Sequence, residues 1–306
     1  LKKTADQIKR IGLIGNPEKP SCSRVVSRAA QLIRATGRMV FCDHATAQLA
    51  RLEATVCPHA ADLARSVDLL LVFGGDGTML RAAHEIAGSP TPMLGINIGG
   101  LGFLTAVPSD ALEPALKRLW RGEFKFERRA LIEATCPRAG SVKRPDRHAA
   151  GRLVRHVALN DIVIGRGEVS RLIELEVDVN GDPLTRYRGD GLIVSSPTGS
   201  TAYSLAAGGA VVFPTAEVFA LTPICPHTLS NRSLIVPLSA TIRIKPLNPT
   251  PSTILSADGQ VISVLAPGDA VTVRRSRHTI RLMQLADSSF FEALRRKLHW
   301  RGAYDL

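Results

Sequence analysis

The first 120 residues alternate short apolar runs with segments of helical spacing, and this alternation restricts the fold more than any bulk property. Ile11–Gly15, Arg38–Cys42, Asp68–Phe73 and Pro92–Asn97 read as strands. Ser23–Ala35, Ala60–Val67, Thr78–Ala87 and Ala111–Trp120 read as helices. Strands separated by helices predict a parallel sheet covered on both faces. The run Leu69-Leu70-Leu71-Val72-Phe73, apolar at every position, fits a strand buried on both sides.

After about Gly122 the pattern changes to strands with little helix between them. Lys125–Cys136, Val154–Ile164, Leu172–Val179, Gly191–Ser195, Ser233–Val236 and Thr241–Ile244 come first. Ser252–Ala257, Val261–Leu265, Ala270–Arg275 and Thr279–Leu285 follow, with turn signals at Asn180-Gly181-Asp182 and Asp258-Gly259. An all-β, sandwich-like region is expected. The expected division is therefore an α/β domain over 1–121, a β domain over 122–285 and a basic C-terminal helix and tail over 286–306. Phe290–Trp300 forms that helix, and Pro137–Gly151, rich in Arg, Lys, Gly and Pro, reads as a mobile hairpin loop.

Composition narrows the classes. With 45% hydrophobic and 22% charged residues the chain can bury a core, which excludes disordered and collagen-like structure. No apolar run approaches the ~20 residues that span a bilayer. The N-terminus, Leu1-Lys2-Lys3-Thr4-Ala5-Asp6, lacks the apolar stretch of a secretory signal, and with no initiator Met the trimming of a leader stays open. A cytoplasmic location and no membrane partner are expected. Cys22, Cys42, Cys57, Cys136 and Cys225 form no C-x-x-C and meet no histidines at zinc spacing, so free thiols are expected. The charge of +12 favours polyanionic partners. Basic residues spread along the chain, with few aromatics to stack on bases, argue against nucleic acid.

Three polar stretches interrupt this pattern. Gly74-Gly75-Asp76-Gly77-Thr78 lies directly between a buried strand and a helix. Its glycines let a phosphate approach the backbone, and the helix start adds N–H groups and a positive dipole end. Asp76 there can accept a proton from a hydroxyl that attacks a phosphate, can hold Mg²⁺, or can simply cap the helix. No Gly-Lys-Ser/Thr follows, so this is not a P-loop. Ser196-Pro197-Thr198-Gly199-Ser200-Thr201-Ala202-Tyr203 offers hydroxyls for sugars or phosphates, while Ser200-Thr201 also read as the cap of a helix through Leu205–Ala207. Asn160-Asp161 is a polar pair in an apolar strand. It suits an adenine edge and a ribose diol, or marks a bulge or an exposed edge.

Together, in this order, Gly-Gly-Asp-Gly-Thr, the Asn-Asp pair and Asp190-Gly191-Leu192-Ile193-Val194-Ser195-Ser196-Pro197-Thr198-Gly199-Ser200-Thr201-Ala202-Tyr203 resemble the NAD kinase family. Gly95-Ile96-Asn97 and Leu101-Gly102-Phe103-Leu104 add to the resemblance, which covers about Ile11 to Leu285. It implies an N-terminal Rossmann-like α/β domain and a C-terminal β-sandwich. It also implies transfer of the γ-phosphoryl group of ATP, or of polyphosphate, to the 2′-hydroxyl of the adenosine ribose of NAD. A divalent cation, Mg²⁺, and a homodimer or homotetramer belong to the same implication, with no residue assigned as a metal ligand.

By the same resemblance Asp76 is the catalytic base, and Gly75 and Gly77 are backbone positions beside the dinucleotide. Asn160 and Asp161 bind the adenosine and ribose groups, and Thr201, Ala202, Tyr203 and Ser204 line the same pocket. Asp190 contacts the nicotinamide end, and Arg171, Arg188 and Gln260 fall at binding positions. Arg188 is expected to hold the Asp190 carboxylate, narrowing the site in favour of NAD over NADH. Four departures are visible: Ala206 stands where many bacterial members have Ser, Ser196 where Thr is usual, Ile98-Gly99-Gly100 lacks the basic or polar residues often seen after Gly-Ile-Asn, and the loop Pro137–Gly151 is longer than typical. The Gly-rich turn is shared with diacylglycerol and sphingosine kinases, so a lipid kinase is the alternative within the same class. A non-catalytic dinucleotide-binding regulator is the alternative outside it.

Overall fold

The computed structural model describes residues 5–100, 102–137, 153–167, 171–228, 231–248, 253–266 and 268–300. Leu101, most of the expected 137–151 loop and the tail beyond 300 lie outside the described residues. The chain divides into two compact units, Leu1–Arg128 with Ile280–Leu306 and Arg129–Thr279.

The first unit has the expected alternation of strands and helices: β1 (Arg10–Gly15), α1 (Ser21–Arg34), β2 (Met39–Asp43), α2 (His44–Ala50), β3 (Thr55–Cys57), α3 (Ala60–Ser66), β4 (Leu69–Gly74), α4 (Asp76–Glu85), β5 (Met93–Asn97), β6 (Val107–Pro108) and α5 (Leu112–Trp120). The strands run parallel in the order β3-β2-β1-β4-β5. Every residue of β4 is buried, as a strand covered on both faces requires. Ile11, Leu13, Leu71, Phe73 and Ile96 meet Val26, Ala29 and Ile33 of α1 and Leu116 and Leu119 of α5 in one core. α2 and β3 have no counterpart in the sequence reading. Both are short, and α2 starts on the capping Asp43 side chain rather than on an apolar stripe.

The second unit is antiparallel. Its strands are β7 (Phe124–Pro137, which enters from the first unit), β8 (Leu153–Ala158), β9 (Asp161–Arg166), β10 (Ile173–Val179), β11 (Asp182–Gly189), β12 (Gly191–Ser195), β13 (Val218–Ile224), β14 (Leu234–Pro237), β15 (Ile242–Pro246), β16 (Thr253–Ala257), β17 (Gln260–Val264) and β18 (Val271–Leu285). β11-β10-β15-β18 form one layer, which β7 and β8 extend, and β14-β13-β12-β9-β16-β17 form the other. Alternate residues from both layers, among them Ile132, Leu175, Ile244, Val273, Ile164, Val194, Phe219 and Leu255, share one core. The two turns read from the sequence close hairpins, with positive φ at Asn180, Gly181, Asp258 and Gly259.

β18 then leaves this unit, and its last residues pair parallel with β5 at Leu282 and Met93 in the first unit. The two strands expected at Ala270–Arg275 and Thr279–Leu285 are thus one. α7 (Phe290–Leu298) belongs to the first unit, so residues 280–285, expected within the β domain, and the helix expected as a separate tail pack there. The expected strand Val154–Ile164 is instead two. It breaks at Leu159-Asn160, and β8 and β9 join different layers.

Candidate active site

In the first unit, Asp76 opens α4 directly after β4. The helix cap is Gly75, and no side chain caps it, so Asp76 is not the cap its position allows. Its carboxylate turns instead to the segment 102–105. Phe103 N–H donates to Oδ2 at 2.8 Å and Leu104 N–H to Oδ1 at 3.0 Å, with the Thr105 hydroxyl 3.5 Å from Oδ1. Gly102 makes this approach possible, because a Cβ there would overlap the Asp76 carboxylate. The acid is thereby locked in orientation at the N-terminus of a ten-residue helix, with lone pairs left for an incoming hydroxyl. Gly75 is half-buried and Gly77 exposed beside it.

In the second unit the Asn160-Asp161 pair sits at the break between β8 and β9. The Asp258 carboxylate, from the β16–β17 turn, accepts the N–H groups of Leu159 (2.8 Å), Asn160 (2.7 Å) and Asp161 (3.0 Å). Asp258 N–H in turn donates to the Asp161 carbonyl at 3.0 Å. The break is therefore a built corner rather than a bulge or a frayed edge. Asp161 is 4% exposed, and its carboxyl is pushed up to about 7, first by burial and second by the nearby Asp258 charge.

The hydroxyl-rich stretch is laid against this corner. Ser196 N–H donates to the Asn160 carbonyl at 2.8 Å, and the Ser196 hydroxyl donates to the Leu159 carbonyl. A Cβ at Gly199 would overlap the Asn160 backbone, so only glycine permits the contact. Asn160, Asp161, Thr201, Ala202, Tyr203 and Ser204 thus belong to one locality. Ser204 is buried on Thr222 (2.9 Å), which continues to Ser233 (3.0 Å), while Tyr203 is exposed. Ser200 does not cap α6 (Tyr203–Ala206). Its hydroxyl donates to the Pro197 carbonyl and accepts from Val212 N–H. Replacing Thr by Ser at 196 keeps the hydroxyl that the corner uses.

Asp190 pairs with Arg166, Nε to Oδ1 at 2.8 Å, and not with Arg188. The ladder explains this: Arg166 N–H donates to the Asp190 carbonyl, which makes the two residues neighbours. Arg188 lies opposite Glu174 on β11 and is exposed. The expected Arg188 clamp on Asp190 is absent, and with it the structural basis for preferring NAD over NADH by that route. Arg171 and Gln260 are exposed. Asp258 and Arg166 are absent from the site residues that the sequence points to. Asp258 was visible only as a turn signal, and Arg166 carried none. Among the described residues no group of three or more His, Cys, Asp or Glu is placed to hold a metal ion, and no helix is long and apolar enough to cross a membrane.

Known proteins match both units. Residues 11–124 match the family model of the ATP-NAD kinase N-terminal domain and residues 159–285 that of the ATP-NAD kinase C-terminal domain. An NAD kinase of Moorella thermoacetica is 42% identical over 300 residues, covering 97% of this chain and 91% of the relative. One from Citrifermentans bemidjiense is 37% identical over 295 residues, covering 96% and 99%. Among solved structures, yeast NADH kinase complexed with NADH superposes with a TM-score of 0.84 at 26% identity, covering 98% of this chain and 90% of that one. An Archaeoglobus fulgidus NAD kinase in complex with ATP gives 0.71 at 25% identity, covering 96% and 100%. The matches take in the Gly-rich turn and the hydroxyl-rich stretch alike, which removes the lipid-kinase and non-catalytic alternatives. The chain is an enzyme of the NAD kinase family.

Proposed function

We propose that this chain transfers the γ-phosphoryl group of ATP to the 2′-hydroxyl of the adenosine ribose of NAD, giving NADP. The observation that carries the reading is the Asp76 carboxylate, fixed by two backbone N–H groups at the start of a helix whose dipole end suits phosphate. Asp76 accepts the proton of the attacking hydroxyl, and Gly75 and Gly77 offer bare backbone beside the phosphates. Asn160 and Asp161, held by Asp258, take the adenosine and ribose groups, and Thr201, Ala202, Tyr203 and Ser204 complete that pocket. Asp190, oriented by Arg166, faces the cationic nicotinamide end, with Arg171, Arg188 and Gln260 at the margin. Mg²⁺ enters as part of the substrate, on the ATP phosphates, where it neutralises charge during transfer. The family resemblance supports a cytoplasmic homo-oligomer, dimer or tetramer, as part of the same reading.

A coupled assay with NAD, ATP and Mg²⁺ tests it, with polyphosphate in place of ATP as a second arm. Asp76→Asn should lower kcat by ~10²–10⁴ while Tm and NAD binding stay close to wild type. Near-normal turnover in Asp76→Asn would remove Asp76 from the base role.

A further inference from the structure

In the first unit, the strand order β3-β2-β1-β4-β5 reverses direction between β1 and β4. In open parallel sheets ligands bind outside the carboxyl ends of the strands at such a switch point. Two loops meet there: Asn16–Pro20 after β1 and the Gly74–Gly75 turn after β4, tied by Asn16 N–H donating to the Phe73 carbonyl at 3.0 Å. The first loop delivers Lys19. Its Nζ donates to the Ile98 carbonyl at 2.9 Å, just past the end of β5. That one bond leaves two of the ammonium's three N–H groups for other acceptors.

The ammonium hangs over bare backbone. A Cβ on Gly75 would lie 4.0 Å from Nζ and one on Gly99 3.5 Å, so the cation borders the residue that precedes Asp76. Lys19 is half-buried, and among the described residues no carboxylate pairs with it. A second feature marks the same strand ends as a place for a guest. Asn97 lies opposite Gly74 in the ladder and is 5% exposed. It spends its amide N–H on the Gly99 carbonyl and leaves Oδ1 with no partner. Native interiors rarely leave a buried acceptor unfilled, and a water or hydroxyl of a bound group fills it.

We infer that Lys19 is a ligand of the phosphoryl donor, binding the terminal phosphates of a nucleoside triphosphate against the N-terminus of α4. The inference rests on the kinase reading above and adds a residue and a substrate moiety to it. A helix N-terminus supplies backbone N–H groups and a partial charge, but a triphosphate carries several negative charges. A lysine, a compact point charge with free donors, is the side chain that compensates them. Lys19 also gives the Gly-rich turn the cation that its own sequence, unlike a P-loop, does not contain.

The test uses the full chain with Lys19→Gln and Lys19→Arg. Lys19→Gln should lower kcat/KM for ATP by at least ~10-fold while KM for NAD changes less than about 2-fold and Tm is kept. Lys19→Arg, which restores the charge, should recover most of the loss. In parallel, inorganic tripolyphosphate should raise the Tm of the wild type and not that of Lys19→Gln. An unchanged kcat/KM for ATP in Lys19→Gln overturns the assignment while leaving the kinase function standing, and so does a loss confined to KM for NAD. A wild type that fails to phosphorylate NAD but whose response to tripolyphosphate needs Lys19 sinks the kinase reading and keeps the anion site. Equal responses of wild type and Lys19→Gln to tripolyphosphate sink the site.

Discussion

Asp76 and Asp258 act on the backbone in the same way, each accepting N–H groups from a segment distant in sequence. Asp76 reaches across 27 and 28 residues to Phe103 and Leu104, and Asp258 across 97 to 99 residues to the Asn160 corner. Asp258 is therefore a positioning residue for Asn160 and Asp161. Asp258→Asn keeps a side chain that tolerates the left-handed conformation of that turn (φ 47°) but leaves one carbonyl oxygen to serve three donors. The variant should raise KM for NAD by about 10-fold, with kcat much less affected and about 1–3 kcal/mol of stability lost. Steady-state kinetics with denaturant unfolding checks this, and an unchanged KM for NAD would show that the corner holds without its carboxylate. At this scale the glycine- and hydroxyl-rich motifs were legible because their composition is unusual for a strand end. Lys19, Arg166 and the role of Asp258 were not, since each acts through a partner that only the fold brings near.

Among elements, legibility followed apolar patterning. β4 and β5 are buried throughout and stood out. β11 is not legible in the sequence because residues 182–186 are all exposed and carry no alternation. β13 is not legible in the sequence either, since a Pro at 223 weighs against an inner strand. In the ladder Pro223 lies beyond the reach of β14, which pairs only with Val218–Leu221, so the missing N–H costs nothing on that side. α7 was legible as a helix, but its packing partner was not. Its Phe290 ring lies 6.4 Å from the ring of Phe103, and Lys297 Nζ sits 4.7 Å above the same ring. Phe103 supplies one of the two N–H groups on Asp76, so α7 braces the segment that orients the base. Phe290→Ala should lower kcat by about 10-fold with both KM values little changed, because small displacements of a reacting group are costly. Phe290→Tyr should retain activity. Equal kcat in Phe290→Ala and wild type, measured with Tm, would reduce α7 to a cover over the first unit.

At the scale of the whole chain, stability rests on two separate cores, one per unit, and Asp161 couples the second to pH. Its carboxyl titrates at about 7 in the folded chain against 3.8 as the reference, because burial and the Asp258 charge both disfavour ionisation. Between these values the folded chain holds a proton that the unfolded chain has released. The contribution is full below about pH 4 and is lost as the pH climbs to about 7, a swing of at most about 4 kcal/mol. Asp161→Asn fixes a neutral side chain of similar shape, so its stability should fall less between pH 5 and pH 8 than that of the wild type. Urea unfolding of the ligand-free proteins at both pH values measures the difference, and the transition that reports the second unit should carry it if the two units unfold apart. Parallel pH dependence in wild type and variant would mean that Asp161 is ionised in the folded chain throughout. The same charge ties stability to function. Above pH 7 the buried Asp161 carboxylate carries its charge close to that of Asp258, and the hydroxyls of a bound ribose supply donors that stabilise it. NAD should therefore raise the wild-type Tm more at pH 8 than at pH 5, and this difference should shrink in Asp161→Asn.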